Sequence, residues 1–350
     1  MKSIEAKPRS LPNREWPAAD RQAWEEVCRP GIRLKPGGKA SYLAPSSRDD
    51  FASRYGAFLG FLQRIGRLDR HATAAEQITP SNVEAYITEL KSRIRSVTVW
   101  NCIYKLRRAG ELLNPNADFS WLAEIEGDLA LVMVPRSKFD RVVLSERLVE
   151  MGLTLVTEAE GHARTAFERA KRVRNGLMIA VLALCPIRVK NFASLEIGHT
   201  FKEVHGSWWI TLPSESTKTN SQEERRVPDF LNRAIELYLN QSRPVLLGAK
   251  PPTDSLWISL RTGRKITTKN LGTLISKITF RTIGVDVSPH LFRTAGATTA
   301  ALYGGVTPHL ASALLGHTDA RVTYEHYNRA TSINAAKAYA ALVKQYLSDS

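Results

Sequence analysis

Residues 199–230 read HTFKEVHGSWWITLPSESTKTNSQEERRVPDF, and their periodicity decides the fold. Two runs of strand character, SWWITL and then RRV, are broken by Gly, Pro, Asn and Ser, which is the pattern of a small antiparallel sheet. The segment SESTKTNSQEE is the expected hairpin tip, and it carries Lys218. On either side the period is helical. RTAFERAKRVRNGLMIAVLAL precedes it at 164–184, and helical patterns resume at FLNRAIELYL and continue to the C-terminus. The expected fold is mainly α with a small antiparallel β-sheet, the sheet lying early in the larger domain.

Upstream of that domain the pattern is helical throughout. In SSRDDFASRYGAFLGFLQR, residues Phe51, Tyr55, Phe58, Leu59 and Leu62 share one face. A second helix opens at Thr79 as N-cap with Pro80 in its first turn, and its inner face is Val83, Tyr86, Ile87 and Leu90. A third follows Ser96, with Val99, Ile103, Leu106 and Leu113 inward and Lys105, Arg107 and Arg108 outward. A fourth covers SWLAEIEGDLALV. This predicts a small helical domain at 46–131. Before it, residues 1–45 are rich in Pro, Gly, Lys and Arg and are expected to form a partly flexible arm with one short helix around PAADRQAWEEVC. After it, residues 132–141, VMVPRSKFDR, are an expected basic, extended linker containing Arg136 and Lys138. The larger domain then occupies 142–350, with Ser145 as the expected cap of its first helix.

The 350 residues carry 49 Lys and Arg against 34 Asp and Glu, a formal charge of +15. A folded chain with that excess is suited to a polyanion, and nucleic acid is the default partner. The stripe Lys105, Arg107, Arg108 has two readings, an ordinary solvated face or a set of phosphate contacts. Cys28, Cys102 and Cys185 are far apart and odd in number, and no CxxC pair occurs, so neither a disulfide framework nor a zinc site is supported. MKSIEAKPRSLPNREW lacks the apolar core of a signal peptide. The longest apolar run, LMIAVLALC at 177–185, is too short to span a bilayer and reads as a buried helix. A reducing cytoplasm fits these features.

The sequence contains no GxxxxGK[ST], no GxGxxG after a strand, no GxSxG and no HExxH. Nor does it show an Asp and Glu cluster of the kind that holds two magnesium ions for phosphodiester chemistry. Attention therefore falls on basic side chains. In SPHLFRTAG, Ser288 is the expected N-cap and Pro289 sits in the first turn, which places His290 and Arg293 one turn apart near a helix N-terminus, where anions are favoured. Arg188 follows the buried run ending LALCP; a guanidinium there needs a carboxylate or phosphate to grip. His317 follows the helix terminator Gly316 in LLGHT. Tyr324 and Tyr327 lie three apart and share a helical face, so periodicity does not choose between them.

The order of these features, namely Arg188, a hairpin lysine, HxxR, LGH and a tyrosine about ten residues on, resembles the tyrosine recombinase family of phage-integrase and Xer-like enzymes. The resemblance covers roughly the last 300 residues. Residues 46–131 look like its core-binding domain, and 142–350 like its mixed α+β catalytic domain. It implies that Arg188 and Arg293 hold the scissile phosphate and that His290 adds a hydrogen bond to it or helps with proton transfer. Lys218 is then the general acid for the leaving 5′ oxygen, and His317 assists the nucleophile. The HYNRA context at 326–330 favours Tyr327 over Tyr324 as that nucleophile. The implied product is a covalent 3′-phosphotyrosyl link, made without metal, cofactor or ATP.

The implied partners are double-stranded DNA and three further copies of the chain, in a tetramer on paired sites. The implied setting is a nucleoid-associated cytoplasmic protein of bacterial, phage or mobile-element origin. Two departures stand out. Asn191 occupies a position where many members carry an acid, and the interval from His317 to Tyr327 is one residue longer than the commonest. The C-terminal run SINAAKAYAALVKQYL is an amphipathic helix that either packs on its own domain or docks on a neighbouring copy. A nicking and resealing enzyme like type IB topoisomerases, and a non-catalytic DNA-binding protein on the same fold, are the alternatives.

Overall fold

The computed structural model describes residues 10–135, 139–217 and 222–303. The chain divides into two compact units, residues 1–137 and 138–350.

The first unit contains α1 (Ala18–Cys28), α2 (Pro45–Arg64), the short α3 (Ala74–Gln77), α4 (Pro80–Arg93), α5 (Ser96–Leu113) and α6 (Ser120–Val132). The Thr79 hydroxyl accepts the Asn82 N–H at 3.3 Å, and Pro80 occupies a position whose N–H would lack a helical partner anyway, so α4 starts there. Tyr55, Phe58, Leu59 and Leu62 of α2 meet Val83, Tyr86 and Leu90 of α4 and Val99, Ile103 and Leu106 of α5 in one core. These are the inward faces that 3.6-residue periodicity predicts.

In the segment before residue 46, the expected short helix forms as α1, and tryptophans fasten it to the rest of the unit. Leu11, Trp16, Trp24 and Val27 are buried in the same core, whereas residues 29–36 are exposed. The Trp16 ring meets Trp24 and Tyr55 edge-on, with centroids 5.9 and 4.9 Å away. Asp20 accepts the Tyr55 hydroxyl at 2.5 Å and the Ala74 N–H at 2.7 Å. Two tryptophans burying roughly 150–250 Å² each contribute about 4–6 kcal/mol apiece. A few such anchors outweigh the Pro- and Gly-rich composition between them.

The second unit is built around α8 (Ala166–Leu184), whose residues 177–183 are all buried. Against it lies α7 (Ser145–Thr157). Gly152 and Gly176 face each other where these helices meet; a Cβ on Gly176 would lie 2.3 Å from the Gly152 carbonyl oxygen, so the close approach requires glycine. Ser145 is the first residue of α7 rather than its cap, and its N–H donates to the Thr299 hydroxyl at 2.9 Å.

After α9 (Val189–Ala193), strands β1 (Phe201–Val204), β2 (Ser207–Leu212) and β3 (Glu223–Arg226) form an antiparallel meander in the order β1-β2-β3. His205 and Gly206, both at positive φ, make the two-residue turn between β1 and β2 that matches strand twist. In β2 the alternation sends Trp208, Ile210 and Leu212 inward, where Trp208 stacks on Phe201 at 4.9 Å. A helical stretch follows as α10 (Asn232–Glu236), a π-helical segment (Leu237–Ser242) and α11 (Arg243–Leu247), then α12 (Thr268–Ile283) and α13 (Pro289–Tyr303). The fold is thus mainly helical with one small antiparallel sheet among the described residues. No helix among those residues is long and apolar enough to cross a membrane.

Candidate active site

Arg188 owes its position to the way α8 ends. The Cys185 N–H closes the last turn on the Val181 carbonyl at 2.8 Å, and Pro186 then stops the helix, because it has no N–H to continue the ladder. Ile187 is buried and anchors the turn, and Arg188 becomes the N-cap residue of α9 with an extended backbone. Its guanidinium is therefore delivered from a rigid apolar base, with the side chain 30% exposed.

Arg293 comes from α13. That helix begins at Pro289, where the Ser288 carbonyl accepts the Leu291 N–H at 2.8 Å. The first turn carries His290, exposed, and one turn later lies Arg293, half-buried. Nη1 of Arg293 donates to the Pro186 carbonyl at 2.6 Å. That oxygen lies two residues before Arg188. A residue 105 positions away in sequence is thereby fastened to the same turn that presents Arg188.

Strand β3 completes the cluster. Its burial alternates, with Glu223 and Arg225 partly buried and Glu224 and Arg226 exposed. The two carboxylate oxygens of Glu223 bridge two cations. Oε1 lies 3.6 Å from Nη1 of Arg188, and Oε2 lies 3.1 Å from Nη2 of Arg225. On the outer face, Arg226 pairs with Asp229 at 2.6 Å. Burial, and then the positive charges of Arg188 and Arg225, push the Arg293 guanidinium down to about 10, while Glu223 pulls the other way. It stays protonated at neutral pH. Three guanidinium groups and one carboxylate thus gather around the end of α8, a net positive site suited to a phosphate ester.

The structure therefore brings Arg188 and Arg293 together, with His290 one helical turn from Arg293. No motif marks Glu223 or Arg225. Their signal was the strand alternation at EERR, which puts one acid and one base on the inner face. Asn191, three residues after Arg188, is buried, and its backbone carbonyl accepts both the Ser194 N–H and hydroxyl at 3.0 Å. Lys218, His317, Tyr324, Tyr327, Arg136 and Lys138 lie outside the described residues.

The basic stripe of α5 is engaged with acids. Lys105 pairs with Asp50, Arg107 with Glu126 at 2.7 Å and Glu111 at 2.5 Å, and Arg108 with Glu111 at 2.7 Å. Arg108 is the most exposed of the three, at 39%. Any phosphate bound there competes with these carboxylates. Among the described residues no group of three or more His, Cys, Asp or Glu could hold a metal ion.

A family model described as the phage integrase family matches residues 153–332, just over half of the chain. No curated protein matches the chain. Among solved structures, the chain is similar to the XerH site-specific recombinase bound to difH substrate in a pre-cleavage complex. That likeness is 16% identical, covers 83% of this chain and 79% of that one, and has a TM-score of 0.54. The post-cleavage complex of XerH on a palindromic difH substrate is 13% identical over 94% of this chain and 97% of that one, with a TM-score of 0.51. At these identities the likeness is one of fold.

Proposed function

Because the chain belongs to the phage integrase family of tyrosine recombinases, we propose that it cleaves and rejoins duplex DNA through a covalent 3′-phosphotyrosine intermediate. The observation that carries this reading is the fastening of Arg293 to the Pro186 carbonyl at 2.6 Å, beside Arg188. Two converging guanidinium groups can grip the non-bridging oxygens of one phosphodiester and offset the charge that develops on it. His290 adds a donor from the same helix end.

In the proposed cycle, the Tyr327 hydroxyl attacks phosphorus and the bond from phosphorus to the 5′ oxygen breaks. Lys218 gives that oxygen its proton, and His317 assists the nucleophile. The ester is exchanged rather than hydrolysed, so a 5′ hydroxyl of a partner strand can reverse the step without ATP. The guanidinium cluster supplies the charge stabilisation, so the reading requires no metal. Residues 46–131 serve as the core-binding domain and 142–350 as the catalytic domain, joined by 132–141. Arg108, Lys105, Arg107, Arg136 and Lys138 contact the DNA backbone, and four copies assemble on paired sites in a nucleoid-associated setting. The XerH relatives are seen with DNA substrates, which supports the choice of DNA for this chain.

The test is incubation of the full chain with nicked suicide duplexes drawn from a randomised pool, in EDTA, followed by denaturing gels. A covalent adduct lost in Tyr327→Phe is expected. An adduct that persists in Tyr327→Phe but vanishes in Tyr324→Phe overturns the nucleophile, and an absolute need for magnesium overturns the metal-free chemistry. An assembly that stays monomeric on DNA while relaxing supercoils favours the topoisomerase-like alternative.

A further inference from the structure

Glu223 stands among three cations, yet it is not one of the groups assigned to the reaction. Its side chain is 13% exposed, as is that of Arg225. The two contacts it makes are unequal. The 3.1 Å approach to Arg225 is near hydrogen-bond distance, whereas the 3.6 Å approach to Arg188 is too long for a saturating charge-assisted bond. The carboxylate is therefore anchored on Arg225 and attracts Arg188 without occupying its donors. Arg225 reaches it from the same strand two residues on, because the period-2 alternation of β3 puts both on one face. Three guanidinium groups drawn to one turn repel one another, and a single carboxylate between them offsets part of that repulsion.

We propose that Glu223 is a positioning residue for phosphate binding: anchored on Arg225, it steers the Arg188 guanidinium to converge with Arg293. The proposal rests on the reading that Arg188 and Arg293 hold the scissile phosphate. It has a rival with the opposite sign, in which the Glu223 carboxylate is a stand-in anion that DNA must displace. A positioning carboxylate speeds the chemistry, whereas a stand-in slows it.

The experiment uses the full-length chain and the nicked duplex that the wild type captures most readily from a randomised pool. Single-turnover rates of adduct formation are compared with the Kd for the same duplex without the nick. Glu223→Gln is expected to slow adduct formation tenfold or more while leaving Kd within threefold of wild type, and Glu223→Asp to recover part of the rate. An unchanged rate in Glu223→Gln, or a faster one, overturns the proposal. Melting curves check that the variants are folded. If Glu223→Gln unfolds, Arg225→Lys replaces it, since it keeps the charge balance but loosens the anchor; threefold slowing at unchanged Kd supports the proposal, and an unchanged rate overturns it. Arg188→Ala separates the two layers of reasoning. Adduct formation at the wild-type rate in that variant defeats the phosphate-site reading itself, whereas its loss beside a fully active Glu223→Gln defeats the role of Glu223 alone.

Discussion

Arg293→Met is expected to abolish reaction while leaving the second unit almost as stable as before. The fall of the Arg293 guanidinium from its usual range to about 10 corresponds to roughly 3 kcal/mol of unfavourable environment for the charge, at about 1.36 kcal/mol per tenfold in proton affinity. Burial is the first cause and the neighbouring Arg188 and Arg225 the next. Against this stands the charged hydrogen bond to the Pro186 carbonyl at 2.6 Å, worth about 1.5–3 kcal/mol. Methionine removes both terms and keeps the apolar stem. The net of these two terms is expected within about 1.5 kcal/mol, or roughly 3–6 °C in Tm for a unit of this size.

The sign has a pH signature. A base whose folded pKa is depressed holds its proton less tightly than in the unfolded chain. Wild-type stability therefore recovers as pH rises above about 10, and Arg293→Met lacks that recovery. The assay is calorimetry of the two proteins at pH 7.5 and 10.5, alongside adduct formation on the suicide duplex. A loss above about 3 kcal/mol at pH 7.5 refutes the reasoning, because the arginine would then be a net structural asset. So would full reactivity.

Other perturbations test the packing and the charges. Gly176→Ala places a Cβ 2.3 Å from the Gly152 carbonyl oxygen, and should cost the second unit about 1–3 kcal/mol in urea denaturation. Tyr55→Phe removes the donor at 2.5 Å from the buried Asp20, and should cost the first unit about 1–3 kcal/mol near neutral pH. Burial already raises Asp20, opposed by the Tyr55 and Ala74 hydrogen bonds. Stability tied to this carboxyl is therefore fullest at low pH and declines as pH rises above 3.8. Losing the tyrosine raises the group further, so the defect should be smaller at pH 4.5 than at pH 7 in chemical denaturation. For DNA, Arg108→Ala should reduce the slope of log Kd against log salt by about 1. Arg107→Ala, which also unties α5 from Glu126 of α6, should lower the slope likewise and lose stability besides; an unchanged slope in Arg108→Ala would remove Arg108 from the interface.

Elements whose signals are local are legible in the order of residues alone. The inward faces of α2, α4 and α5, the burial of 177–183, the stop at Pro186 and the strand alternation around 207–212 all follow from periods of 3.6 and 2 and from the missing N–H of proline. The order of Arg188 and the His290–Arg293 pair was legible for the same reason, since a one-turn spacing is set within a single helix. Partner choice was not legible. Residues 10–44 look like an arm by composition, and the surface on which Trp16 and Trp24 pack, the first core, was not legible, because burial depends on what is offered elsewhere. The α5 cations look free, but Asp50, Glu111 and Glu126 claim them from across the unit or one turn away. Only the tertiary structure decided that Arg293 meets Pro186 and that Glu223 stands between Arg188 and Arg225. Glu223 and Arg225 share a face by the strand period, but the contacts of Glu223 with Arg188 and of Arg293 with Pro186 join residues 35 and 107 positions apart, and no helical or strand period reaches that far; the packing of α13 and β3 around the end of α8 does.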